Sequence, residues 1–84
     1  MVKYVIAEQL VGKEVVTSDG FDVGKFVDAD LDEVTGKLSN IYVEPNLDSD
    51  FANKLDVKSG VVKLPSVALV AVNDYIVVDR KSIV

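Results

Sequence analysis

Cysteine, histidine and tryptophan are absent from this 84-residue sequence. Zinc sites built on Cys or His ligands are therefore excluded. Cys–His and Ser–His–Asp catalysis are excluded with them. Without cysteine there is no disulfide framework, and the redox compartment is not readable. Proline occurs 2 times and glycine 5 times, while 49% of the residues are hydrophobic. That balance is too apolar for a disordered chain. Basic residues are also scarce, 9 against 14 acidic ones, for a net charge of −5. Arg80-Lys81 is the only adjacent basic pair. Phosphate backbones and anionic membrane surfaces both need clustered Lys and Arg, so direct nucleic-acid or membrane-surface binding is disfavoured.

Long apolar runs are missing too. The longest is Val67-Ala68-Leu69-Val70-Ala71-Val72, far short of the ~20 residues of a spanning helix. Met1 to Leu10 carries one Lys and an apolar stretch broken by Glu8 and Gln9, too short for a signal peptide. The sequence therefore reads as one cytoplasmic domain over residues 1–84, without cofactor, metal or membrane insertion. A domain this short buries only about 60% of the surface its unfolded chain exposes. Oligomerisation is a natural source of extra stability, and a homodimer is expected.

What is abundant is valine, 18 residues of 84. Valine is stiff at χ1 and favours strands. The valines fall in short runs separated by turn residues, which is the all-β pattern. Lys13 to Thr17 is the first run, followed by a Ser18-Asp19-Gly20 turn. Val23 to Leu31 is the second, followed by a Val34-Thr35-Gly36-Lys37 turn. Leu38 to Val43 is the third, and the three form an antiparallel meander. In the second run Ala29 and Leu31 share parity with Val27 rather than with Phe26. A β-bulge near residues 26–29 explains the switch of face.

Pro45 to Gly60 breaks the strand pattern. Leu47, Phe51 and Leu55 have the spacing of one helical face, and Asp48 or Ser49 suits the cap. One or two helical turns inside a long loop are expected. Val61 to Leu64 is the fourth run and stops at Pro65, which has no N–H to donate. Ser66 to Ala71 reads as a helical turn or an extended stretch. Asn73-Asp74 is a turn, with Asn73 tolerant of left-handed backbone. Tyr75 to Val78 is the fifth run.

Chemical motifs fail one by one. Asp28-Ala29-Asp30-Leu31-Asp32 starts like a calcium loop, but Glu33 stands where glycine is needed and Ser39 where a bidentate Glu is needed. These carboxylates are a solvated strand face or a weak divalent-cation site. Gly20 to Phe26 is one residue too short for a phosphate loop, and Phe26 replaces the magnesium-binding hydroxyl. No nucleophile arrangement is marked, so an enzyme is not expected. Tyr4, Phe26, Tyr42 and Tyr75 fall in or beside apolar runs and read as core or barrel-wall residues. Phe21 follows a turn glycine and Phe51 lies in the acidic loop. Each either plugs an end of the fold or marks a contact surface.

Leu10-Val11-Gly12-Lys13-Glu14-Val15, Asp19-Gly20, Val23-Gly24-Lys25-Phe26-Val27-Asp28, Leu64-Pro65-Ser66 and Val70 to Val78 occur in that order. Together they resemble the PRC-barrel family, named for the cytoplasmic domain of the photosynthetic reaction centre H subunit. A related domain closes the ribosome-maturation factor RimM. The resemblance covers residues 10–79. Asn73 departs from the family's usual Gly, and Phe21 from its usual polar residue.

The resemblance implies an all-β fold, a small and highly curved barrel of about five to six strands. The helical turn would sit in its variable 45–60 connection. It implies an adaptor with no catalytic residues. Gly12, Gly20, Gly24, Asp28 and Pro65 match recurring positions and take structural roles, Asp28 as an acceptor of backbone hydrogen bonds near the bulge. Size and acidity resemble the stand-alone archaeal members, some of which act in cell division with SepF, the membrane anchor of the FtsZ ring. On that footing the partner is SepF or another PRC-barrel protein, the place is the division site, and Phe21, Phe51, Ile83 and Val84 are the candidate protein-binding residues. The alternative implied by RimM is a ribosome-maturation accessory domain that binds a ribosomal protein.

Overall fold

The computed structural model describes residues 9–83. The candidates Tyr4 and Val84 lie outside them. Seven strands form one mixed sheet. They are β1 (Glu14–Thr17), β2 (Asp22–Leu31), β3 (Leu38–Pro45), β4 (Val57–Lys58), β5 (Val61–Pro65), β6 (Leu69–Val72) and β7 (Ile76–Val78). The order across the sheet is β4-β5-β3-β2-β1-β7-β6. Only β1 and β7 pair in parallel; the other neighbours are antiparallel. The chain is all-β, and β1, β2 and β3 form the meander that the turn residues predict.

The hydrophobic periodicity explains the single core. Val15, Val23, Phe26, Leu38, Ile41 and Val43 from the meander join Val62 and Leu64 of β5, Leu69 of β6, and Ile76 and Val78 of β7 in one buried cluster. Strands from both halves of the order, β5 and β6 among them, share this cluster, so the sheet curls around it. Phe26 is its largest fully buried side chain, and burying a group of that size contributes about 1.5–3 kcal/mol. The β2–β3 register shifts between Phe26 and Asp28. This is the bulge read from parity, and it lets Phe26 stay inward while β2 bends.

The hydrogen-bonded ladder has two ends, at β4 and β6. Among the described residues the expected closed barrel is thus an open, curled sheet. The physical reason lies between β5 and β6. Pro65 is the last residue of β5 and has no N–H, and Ser66–Ala68 forms a 3₁₀ turn directly after it. Ala68, fully buried, fills that side with a side chain rather than with ladder bonds.

Seven strands also exceed the expected five to six. The additional strand in the 45–60 segment is β4, joined to β5 by the two-residue loop Ser59-Gly60. Both loop residues have positive φ, 54° and 81°, the twist that tight hairpins need. The helix of this segment, α1 (Asp50–Asn53), is a single turn with Ser49 as its cap. Leu47 therefore falls off the expected helical face and is 77% exposed. Phe51 and Leu55 of the expected face do pack inward, and Ala52 joins them. Asn73 does not adopt left-handed backbone; Ser59 is the only non-glycine residue described with positive φ.

Gly24 decides whether β2 can lie against β3. A Cβ at this position would overlap the Glu44 carbonyl oxygen and stand 2.8 Å from the Glu44 carbonyl carbon. Both obstacles are backbone, so neither can swing aside. Gly24→Ala is expected to lower the unfolding free energy by about 3 kcal/mol, the upper range for overpacking. Gly36→Ala meets no atom within 4 Å and costs only the left-handed penalty of about 1–2 kcal/mol. Urea denaturation of the two variants checks the order; equal midpoints would refute the close approach.

Candidate functional site

The β1–β2 turn builds the site. Thr17, at the end of β1, is the one buried polar residue among those described, 2% exposed. Its main-chain N–H donates to the Phe21 carbonyl at 2.8 Å, and its carbonyl accepts from Gly20 at 3.0 Å. Its hydroxyl accepts from the Phe21 N–H at 2.8 Å and donates to Asp19 Oδ1 at 2.6 Å. Every polar atom of the residue is thus used to close the turn. The consequence is that Asp19 and Phe21 are held outward in fixed positions.

Two other segments converge on this turn. After β7, Asp79 caps a 3₁₀ turn over Arg80–Ser82. Arg80 Nε then donates to Asp19 Oδ2 at 3.0 Å. The same guanidinium lies 5.4 Å from the centre of the Phe21 ring, within cation–π range. From the other side, Ser49 Oγ accepts the Ala52 N–H at 3.3 Å and donates to the Asp22 carbonyl at 2.9 Å. That bond ties α1 to the start of β2 and brings Phe51 onto Phe21. The rings stack with centroids 5.3 Å apart and planes 23° apart.

The result is a platform in three layers. Phe51 is half-buried and packs on the core. Phe21 covers it and stays 43% exposed. Arg80 covers one side of Phe21. Phe51 thus does part of the plugging that the sequence leaves open, while Phe21 does not enter the core. Exposed ion pairs contribute about 0–1 kcal/mol, so the Asp19–Arg80 pair acts mainly to position the guanidinium. Hydrogen bonding from Thr17 holds the Asp19 carboxyl below its usual range, and Arg80 adds to the effect.

The remaining candidates lie elsewhere. Ile83 is half-buried, packs against the core, and lines a recess with Tyr42, Leu55 and Leu64. Gly12 donates to the Phe26 carbonyl at 2.9 Å. Gly20 holds the turn at φ 94°. Asp28 Oδ1 accepts the Ala29 N–H at 2.8 Å, inside the bulge.

Asp28, Asp30 and Asp32 are drawn to different partners. Asp30 Oδ2 accepts from the Tyr42 hydroxyl at 2.6 Å and from Asn40 at 3.4 Å. Asp32 accepts the Val34 and Thr35 N–H groups in the β2–β3 turn. The Tyr42 hydroxyl is raised above its ordinary pKa, first by this bond to Asp30. Backbone bonds from Thr35 and Val34 lower the Asp32 carboxyl. Among the described residues no group of three or more acidic side chains stands together as a metal site. No described helix is long and apolar enough to cross a membrane.

A groove of about 600 Å³ opens near the platform. Asp22, Glu14, Glu44 and Lys25 line it with the apolar Leu47 and Val57. Sequence reasoning missed Arg80, Asp19 and Leu47. Only the last carried a local signal, an apolar residue in an acidic loop. Compared with protein-family models the chain matches none, and no curated protein matches it.

The two depressed carboxyls set an acid response. Their folded pKa values lie below the ordinary 3.8, so the unfolded chain binds more protons in acid. Their stabilisation is complete above the unfolded pKa and is lost as pH falls through the folded pKa. Urea midpoints should be flat near neutrality and fall below about pH 4. The fall should be shallower in Asp19→Asn and Asp32→Asn. An unchanged slope in both variants would contradict the hydrogen-bond assignments.

Proposed function

We propose that this chain is a non-enzymatic protein–protein adaptor of the PRC-barrel type, acting in archaeal cell division alongside the SepF–FtsZ machinery. The observation that carries the adaptor reading is the Phe21–Phe51–Arg80 platform. Phenylalanine and arginine are both enriched at protein interfaces, and arginine is a frequent hot spot. It is held by the Thr17 turn and the Ser49 cap, so little ordering cost remains on binding. The acidic groove beside it suits a partner segment with apolar anchors flanked by basic residues.

The PRC-barrel assignment is supported by the ordered motifs over residues 10–79 and by the curled all-β sheet. The division role follows from the resemblance to stand-alone archaeal members.

Affinity purification from an archaeal lysate, followed by identification of the bound proteins, tests the reading. Enrichment of SepF or an associated division protein is expected. Phe21→Ala should weaken that capture about tenfold or more, the effect of losing ~1.4 kcal/mol at a hot spot, with an unchanged circular dichroism spectrum. Enrichment of ribosomal proteins alone would favour ribosome maturation instead. Capture indifferent to Phe21→Ala would remove the platform from the account.

A further inference from the structure

The groove of about 600 Å³ beside the platform combines two chemistries. Glu14, Lys25 and Glu44 stand in one row across β1, β2 and β3, because Lys25 is the register partner of both glutamates. Directly opposed residues in antiparallel strands share a face. Asp22 adds a third carboxylate to the lining, and its only side-chain partner is neutral, Asn46 Nδ2 at 3.5 Å. Among the described residues the ion pairs are Lys58–Asp56 and Arg80–Asp19, so none of these three carboxylates has a cation in contact. One ammonium against three carboxylates leaves the groove negative. The apolar part is Leu47, 77% exposed, and Val57, 43% exposed. Leu47 is not on a loose loop. Asn46 donates its main-chain N–H to the Val23 carbonyl at 2.9 Å, and Asn53 Nδ2 donates to the Leu47 carbonyl at 3.1 Å. An exposed leucine is thus held in place beside uncompensated carboxylates, with little ordering left to do on binding.

We propose that this groove takes an extended segment of a partner protein in which arginine alternates with apolar residues. Charge complementarity selects the segment. An acidic segment is repelled, and a wholly apolar one would strip water from the carboxylates with nothing in return. A hydrophilic polycation would leave Leu47 and Val57 in water. An extended chain sends successive side chains to opposite sides, so arginines can reach the carboxylate row while their neighbours cover Leu47 and Val57. Arginine suits the place better than lysine, because its guanidinium is less strongly hydrated and binds carboxylates through a planar fork. Lys25 is the opposing element: it repels the same arginines and so limits how tightly the groove holds them. The proposal rests on the adaptor reading and adds to it the chemistry of the bound segment.

The chain has no tryptophan, so a peptide that carries one reports its own binding by fluorescence. The probe is acetyl-Leu-Arg-Trp-Arg-Leu-amide, titrated with the full chain at low salt. Saturable binding is expected, weakening as salt screens the charges. Glu44→Lys should weaken it about fivefold, the scale of an exposed charge contact. Lys25→Gln should tighten it, a gain that damage to the fold cannot produce. Leu47→Ser should weaken it, and so should serine in place of both peptide leucines. Phe21→Ala should bind the probe like wild type. Equal binding of the glutamate version of the peptide, full displacement by equimolar spermidine, or indifference to both Glu44→Lys and Lys25→Gln would each overturn the proposal. Probe binding that needs Phe21 and not Glu44 would overturn the groove and leave the adaptor reading standing. Probe binding as expected, with no protein captured from lysate, would keep the groove and overturn that reading.

Discussion

Everything in this fold passes through the contact of β2 with β3 at Gly24. β2 is the longest strand and the only one that joins the two halves of the sheet. Its residues 22–25 pair with β1, and β1 leads on to β7 and β6. Its residues 24–31 pair with β3, and β3 leads on to β5 and β4. At Gly24 both sets of bonds meet, with the Glu44 backbone too close for any side chain. Two residues later Phe26 enters the core, and the bulge then lets the strand turn. A flat sheet would leave Leu64 and Leu69, on strands far apart in the order, without a shared core. The curl brings both into one cluster.

The surface is organised by a different device. Thr17 spends a buried hydroxyl on one turn, with no part of it left for solvent. An unsatisfied buried hydroxyl costs about 1–3 kcal/mol, so the turn has a strong reason to keep its shape. That shape presents Phe21 and Asp19, and Arg80 completes it from the far end of the described chain. Fold and surface are therefore separable. Phe26 and Gly24 serve the core, while Phe21 and Arg80 add little to it.

Much of this was legible in the sequence. β1, β2, β3, β5 and β7 follow from valine runs bounded by turn residues, and the bulge follows from the parity of Phe26 against Ala29 and Leu31. The cap was legible as Asp48 or Ser49 because only a few side chains can accept a hydrogen bond there, and the structure selects Ser49. β4 escaped because two residues cannot show a period. Its one signal is Ser59-Gly60 between apolar residues. The helical face through Leu47 failed because α1 begins only at Asp50, after Leu47, and three apolar residues at helical spacing do not require a helix. The open edge escaped because closure depends on where Pro65 and the following turn send the chain, not on the pattern within any strand. Phe21 and Phe51 stood out singly as apolar residues in polar surroundings. Their stacking, and the arrival of Arg80, are long-range events that no local pattern encodes.

The central claim is that the platform, rather than the exposed apolar surface in general, is what this protein presents to a partner. Photo-cross-linking in the native host measures this directly. A benzoylphenylalanine at position 21 replaces one aromatic ring by another on the platform. The same group at position 34 sits at the most exposed large hydrophobic residue described, 93% accessible, and away from any aromatic pair. The account predicts a discrete cross-linked protein from position 21 and none from position 34. Identical products from both positions, or none from position 21, would contradict it.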